Sequence, residues 1–416
     1  MRVPAPLRQA EFRSLWLAGL ISDVGDWLLF IGLPVVVYEL TGSALGTAFA
    51  FLVELAPGIV LAPLAGRLAD RCDQRRLLLL VSIGQATALL PLLTVHTRSG
   101  LPVLYAVILV EAGLMAVFEP AKNALLPALV PPGELVSANA LIGLNQNLGR
   151  LVGGPLGGVV LAAGGLRLTT VADGVSYLAA AVLIGRLAAR PRPTSAADET
   201  GDLPGASGLL AALCDRRTRP SLFVAFTAQI AQGIFVVSFV LFVAERLHRG
   251  AAEIGLLRGV QAVGAVAGSL VLTALARRSA PASLTAGAAV AFGLLSFVTW
   301  NAPAITTSTG VYVGLFVIVG APGILLSTGI VSHLQLTSRD RDRGRAFAAL
   351  GFVGNAGQAI GMLAAGLLTA PLGLMSVLDA QAMIYVVAGI VAWCSMGALP
   401  ARRWWWPVGD VAGPTR

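Results

Sequence analysis

Charge is scarce in this chain. Only 12% of its 416 residues are Asp, Glu, Lys or Arg, roughly half the share in soluble domains, too few to solvate a surface in water. Histidine and cysteine are scarcer still, at three each. Cys72, Cys214 and Cys394 stand alone, which leaves no disulfide framework and no metal-ligand spacing. No Walker loop or dinucleotide fingerprint occurs, so ATP is not the energy source within this chain. The +8 net charge is scattered over many short segments and forms no basic stripe, which argues against nucleic acid. The first apolar stretch is too long for a cleavable signal and reads as a spanning helix.

What is abundant is apolar sequence. Hydrophobic residues make up 56%, mean hydropathy is +0.81, and glycine numbers 48, as membrane helices in close contact require. Windows of about 20 apolar residues can cross a ~30 Å hydrocarbon core. Twelve are present, at 14–38, 43–65, 77–96, 101–121, 138–163, 168–189, 220–245, 252–275, 281–300, 308–332, 345–369 and 374–398. With the N-terminus cytoplasmic, 23 lysines and arginines fall on inside segments and 5 (Arg98, Arg167, Arg246, Arg249, Arg258) on outside loops and adjoining helix ends; Lys122 counts as inside and Arg150 lies within helix 5. That asymmetry places both termini inside.

The stretch 190–218 is rich in Pro, Ser, Thr, Asp and Gly and reads as a linker between two halves, 1–189 and 219–416, with a short surface helix at 207–217. Trp404, Trp405 and Trp406 beside Arg402 and Arg403 read as an interfacial anchor. The halves repeat: Asn147-x-Gly149-Arg150-x-x-Gly153 returns as Asn355-x-Gly357-Gln358-x-x-Gly361, an offset of 208. Asp23 and Asp26 stand similarly against Gln229 and Gln232, at an offset of 206. Two six-helix bundles related by a parallel repeat are a transporter architecture.

Several motifs carry a resemblance. Residues 66–76, GRLADRCDQRR, put Gly66, Leu68, Asp70, Arg71 and Arg75 at the spacing of the loop between helices 2 and 3 of the major facilitator superfamily. Phe12-Arg13-x-Leu15-Trp16, Leu40-Thr41-Gly42-Ser43-Ala44, Pro120-Ala121, Ala124-Leu125-x-Pro127-x-Leu129-Val130-Pro131, Ala138-Asn139-Ala140 and Arg343-Gly344-Arg345-x-Phe347 resemble its macrolide-exporter and enterobactin-exporter branch. Gly154-Pro155-x-x-Gly158 resembles the helix 5 signature of antiporters. The resemblance implies an all-α fold of twelve spanning helices in two six-helix bundles around a central cavity. It also implies alternating access, a monomer in the cell membrane, and no enzymatic activity. It implies a latch as well, with Asp70 and Arg71 engaging the start of helix 11 when the far side opens; Gly66 at a helix end would allow the turn. The family commonly has an arginine nine residues before the position of Pro120. Glu111 stands there in this chain, and Arg150 is the candidate to replace that arginine.

Charges near the bilayer midplane usually mark a pathway or proton relay. At about 1.5 Å rise per residue, Asp23, Glu54, Glu111 and Arg150 fall near mid-depth, with Asp26 one turn past Asp23. These five lie in the first half and sum to −3; the second half offers only amides there: Gln229, Gln232, Gln261, Asn355 and Gln358. Desolvation favours the neutral form of a carboxyl group, so these acids are candidates for proton exchange, with the proton gradient as energy source and no cofactor. Two competing arrangements are a static pair of Asp23 or Glu111 with Arg150. The glycines of helix 5 (Gly149, Gly153, Gly154, Gly157, Gly158) read as close packing. Asp173 and Asp379 read as structural residues near outer helix ends, and His96, His248 and His333 as surface residues. The expected function is proton-driven efflux of amphipathic cationic or neutral drugs, such as macrolides or tetracyclines. The alternatives are export of one endogenous metabolite (a siderophore or a lipid) and a non-transporting membrane sensor or scaffold. A net −3 cavity argues against an anionic siderophore.

Overall fold

The structure, a computed structural model, describes residues 4–188, 213–275, 280–339 and 342–397, without the side chains of Pro63, Asp70 and 271–275. Most of the linker with its surface helix, Arg277, Arg278, Arg341, and the Trp404–Trp406 anchor with Arg402 and Arg403 lie outside the described residues.

Twelve membrane-length helical segments follow one another among the described residues. They are α1 (Ala10–Thr41), α2 in two pieces (Ala44–Val60 and Ala62–Arg71), α3 (Gln74–Ala88, continued by a 3-10 turn Leu90–Thr94) and α4 (Leu101–Leu129). Then α5 runs from Leu135–Leu148 through a π-helical turn at Gly149–Gly153 and into the run Gly154–Gly185. That run bends at Gly165, beyond which it is α6. In the second half come α7 (Arg219–Leu241 with a π-turn Phe242–Arg246), α8 (Ala251–Leu275), α9 (Pro281–Asn301), α10 (Thr309–Thr337), α11 (Arg343–Leu372) and α12 (Leu374–Met396). Almost every helix is apolar on all sides, the pattern of an element buried in protein on one side and lipid on the other.

Local chemistry sets the boundaries. Ser43 caps α2 by accepting the Gly46 N–H at 3.2 Å, and Asp73 caps α3 by accepting the Arg76 N–H at 2.9 Å. Pro63 has no N–H to give back to the previous turn, and α2 breaks just before it, at Leu61. The turns α5–α6 and α11–α12 rest on Gly165 (φ 62°) and Gly373 (φ 83°), a left-handed backbone that favours glycine. Those two glycines are 208 residues apart, so the repeat extends to the turns.

The helices form two six-helix bundles, α1–α6 and α7–α12, whose main contacts across the divide are α5 with α8 and α2 with α11. Glycine makes the close approaches. A Cβ at Gly153 or Gly157 would enter the backbone of α1; its repeat partner Gly361 meets Ile230 of α7 in the same way. A Cβ at Gly158 would strike Ala251 of α8, and one at Gly366 would strike Leu45 and Ala48 of α2. Gly154 and Gly158 face Gly255 and Gly259 in a reciprocal small-residue seam, with Pro155 against Gly259.

Three expectations need correction. Gly66 makes no turn: it lies inside the second piece of α2 with open space around it. Lys122 is no loop residue: it is 3% exposed within α4 and pairs with Glu119 at 2.5 Å. His333 is buried inside α10, its Nδ1 2.6 Å from the Ser221 hydroxyl. A fully buried polar group needs such a partner, and the sequence near a helix end gave no sign of it.

Candidate functional site: a central cavity with two lobes

The contacts that join the bundles lie toward the face opposite the basic loops, here called the far face. Gly158 on α5, Gly366 on α11, and a hydrogen bond from the Tyr38 hydroxyl to Glu245 Oε1 (2.5 Å) pin α1, α2, α5, α7, α8 and α11 together there. Behind these pins sit two cavities of about 420 Å³ each, one in each bundle. Each is within the range of a small-molecule site. In the second bundle the lining reaches Leu350 and Val331, two turns from the basic-face ends of α11 and α10. The cavity is closed at the far face and extends toward the basic one.

The lobe in the first bundle is acidic. Asp26, Glu54, Glu111 and Glu119 line it, with Gln85, Tyr177 and, reaching across from α11, Asn355. Three helices bring an acidic cluster together at its wall: α1 gives Asp26, α4 gives Glu111 and α6 gives the lining Tyr177 and the buried Asp173, which does not line the cavity. Tyr177 donates its hydroxyl to Asp26 Oδ1 at 2.5 Å, and Ser176 donates to Asp173 Oδ1 at 3.0 Å. Asp173 is 0% exposed, and its second oxygen has no partner among the described residues; the same holds for both oxygens of Glu111. α1 approaches this cluster closely only because Gly25 faces Ser176 and Asp173. Asp173 is therefore part of the cluster and not a helix-end residue. Asp23 does not line this lobe; it lies against Gly149, near the Lys122–Glu119 pair.

The lobe in the second bundle is different. Gln229, Gln232, Gln261, Phe235, Phe292 and Tyr385 line it, together with Arg150 and Arg258. Arg258 is the largest departure from the sequence reading, which set it near an outer helix end and left the second half with amides alone. It stands in the second turn of α8, and its guanidinium lies 4.8 Å from the Phe235 ring and 5.8 Å from the Phe30 ring. Arg150 turns to the same lobe from α5. Neither Asp23 nor Glu111 pairs with it; its nearest polar contact is Asn147 Oδ1 at 3.5 Å. Gln358 is not among the residues lining either lobe; its backbone carbonyl packs on Gly233.

The charged loop divides. The Arg75 guanidinium donates to the Gly185 carbonyl at the end of α6, 2.5 Å away, where a cation complements the helix dipole. Arg71 ends α2, and the Asp70 side chain lies outside the described set. Gln85, Glu119, Lys122, Asp173, Tyr177, Arg258 and Tyr385 were missed as site residues. A charge or amide inside an apolar window was the available signal for most of them; nothing marked the tyrosines.

Residues 3–402 match the family model for transmembrane secretion effectors of the major facilitator superfamily. The uncharacterized MFS-type transporter YfiS of Bacillus subtilis is 29% identical over 185 residues, a match spanning less than half of either chain, 44% of this one and 44% of that relative. The enterobactin exporter EntS of Citrobacter koseri is 27% identical over 69% of this chain and 70% of its own. In three dimensions the chain resembles a bacterial homolog of the human lysosomal transporter Spinster, in an inward-facing, unoccupied conformation, with a TM-score of 0.76 at 14% identity over 94% of this chain and 98% of that one.

Proposed function

Because the chain belongs to the transmembrane secretion effector family of major facilitator transporters, we propose that it exports amphipathic small molecules in exchange for protons. The observation that carries this reading is the pair Asp26 and Glu111, which with Tyr177 wall a cavity closed at the far face and have the buried Asp173 beside them. Carboxyl groups that share one buried volume take up and release protons as a unit. Protons entering from the outer side neutralise the cluster and loosen its hold on cargo; cargo entering from the basic side expels them. The basic face is then cytoplasmic, as the loop charges favour, and the transporter works as a monomer in the cell membrane. Opening the far face separates Tyr38 from Glu245 and slides the glycine seams. In that state Asp70 and Arg71 engage the start of α11, while Arg75 holds the end of α6.

Export of one endogenous metabolite is the second reading, favoured by two observations: an enterobactin exporter is among the relatives, and Arg258 removes the charge argument against anionic cargo. Everted membrane vesicles with an acid interior test both. Cationic, neutral and anionic amphiphiles are offered at two pH values. Accumulation that needs the pH gradient and disappears in Glu111→Gln or Asp26→Asn supports proton exchange. Accumulation unchanged after an ionophore collapses the gradient, or in both variants, sinks it. No accumulation of any compound would favour the sensor.

A further inference from the structure

Two guanidinium groups share the lobe of the second bundle, and among the described residues no carboxylate lies within ion-pair distance of either. They are close because α5 and α8 meet on glycine: Gly259, next to Arg258, lies against the Arg150 carbonyl. Arg258 gives one of its five donors to Gln261 Oε1 at 3.2 Å and has no other acceptor among the described residues. The Arg150 Nε is buried and without an acceptor. Two like charges in a partly apolar wall, with donors unspent, are costly alone and favourable once an anion joins them.

We propose that Arg150 and Arg258 form an anion subsite that receives the carboxylate, or another single anionic group, of an amphipathic ligand. The rest of the lobe suits the apolar part of such a molecule. Phe292 and Tyr385 stack at 4.3 Å with an interplanar angle of 22° and give a flat aromatic wall. Tyr385 donates to Gln232 Oε1 at 3.2 Å, which leaves the Gln232 amide N–H groups for the ligand. Phe235 holds the Arg258 head in place by its ring face. The ligand is thus an aromatic or apolar body with an anionic head, the reverse of the cationic cargo that the sequence favoured. The export reading enters only in that the bound ligand is cargo.

The test is binding, which needs no transport. Purified full-length protein in detergent is titrated with dansyl-phenylalanine and with its uncharged methyl ester, read by energy transfer from tryptophan. The acid is expected to bind about tenfold more tightly than the ester, the scale of one charge-assisted bidentate contact. Arg258→Gln and Arg150→Gln should each erase the preference while leaving ester binding within about twofold, and Arg258→Lys should keep part of it. If one glutamine variant does not fold, the other and the lysine variant carry the measurement. Equal binding of the two probes, no saturable binding of the acid, or a preference surviving both glutamine variants overturns the proposal. The two readings fail separately. Gradient-driven efflux with equal probe binding removes only the subsite; acid preference with gradient-independent transport removes only proton exchange.

Discussion

The two lobes are built on one packing plan and hold opposite chemistry. Gly149, Gly153 and Gly158 of the first half recur at an offset of 208 as Gly357, Gly361 and Gly366, and each of these pairs meets the corresponding neighbour, while Gly165 and Gly373 recur as the left-handed turn residues. Facing the cavity, the repeat lapses. The first lobe has Asp26, Glu111 and Glu54; the second has Gln229, Gln232 and Arg258. The glycines answer to backbone distance, which is the same in both bundles. The cavity residues are free of that constraint, and their chemistry differs between the lobes. Arg150 and Asn355 make the asymmetry concrete, each reaching from its own bundle into the lobe of the other.

The comparison breaks most sharply at the glycines. Gly153→Leu and Gly361→Leu should each cost several kcal/mol, as overpacking at a backbone contact does, and lower the melting temperature in detergent by similar amounts. A large effect in one and none in the other would deny that the repeat governs packing. Next come the acids. Glu111→Gln should abolish gradient-driven accumulation with normal folding, whereas Gln232→Glu in the other lobe should leave it gradient-dependent. A smaller effect is expected where the lobes are sealed from the far face. Tyr38→Phe removes one charge-assisted hydrogen bond across the bundles, worth about 1–2 kcal/mol at most. It should raise labelling of a cysteine placed at Leu33 by a far-side thiol reagent several-fold. Smallest of all is Gly66→Ala: with open space at a helix-interior position, stability should rise by about 0.5–1 kcal/mol with efflux unchanged, and lost folding would restore a turn there.

Much of this was legible beforehand. Hydropathy located all twelve spans to within several residues, because a helix needs about 20 apolar residues to cross a bilayer whatever it packs against. The helix 5 glycines read as packing residues, because small residues at four-residue spacing have few other uses in an apolar helix. Sites were read less well. Lys122 reads as a cation on an inside segment because it lies just beyond an apolar window, yet α4 continues to Leu129 and buries it against Glu119. Arg258 reads as a residue near an outer helix end for the same reason: hydropathy sees a charge near a span's end and cannot see that the side chain turns inward. Tyr177 had no signal at all; an aromatic in an apolar helix is ordinary until α1 presents Asp26 to it.

The sequence by itself determined that this chain lives in a bilayer, how often it crosses, that it is a duplicated transporter, and which glycines let its helices touch. Those follow from composition and period, which are properties of one chain read in order. Only the tertiary structure decided which charges share a cavity. Asp26 and Glu111 come from two helices, with Asp173 beside them on a third, and Arg150 and Arg258 come from two bundles, so their proximity depends on helix rotation and register. A helix turns about 100° per residue, so the same charge faces lipid, a neighbour or the cavity according to packing that no single window of sequence records.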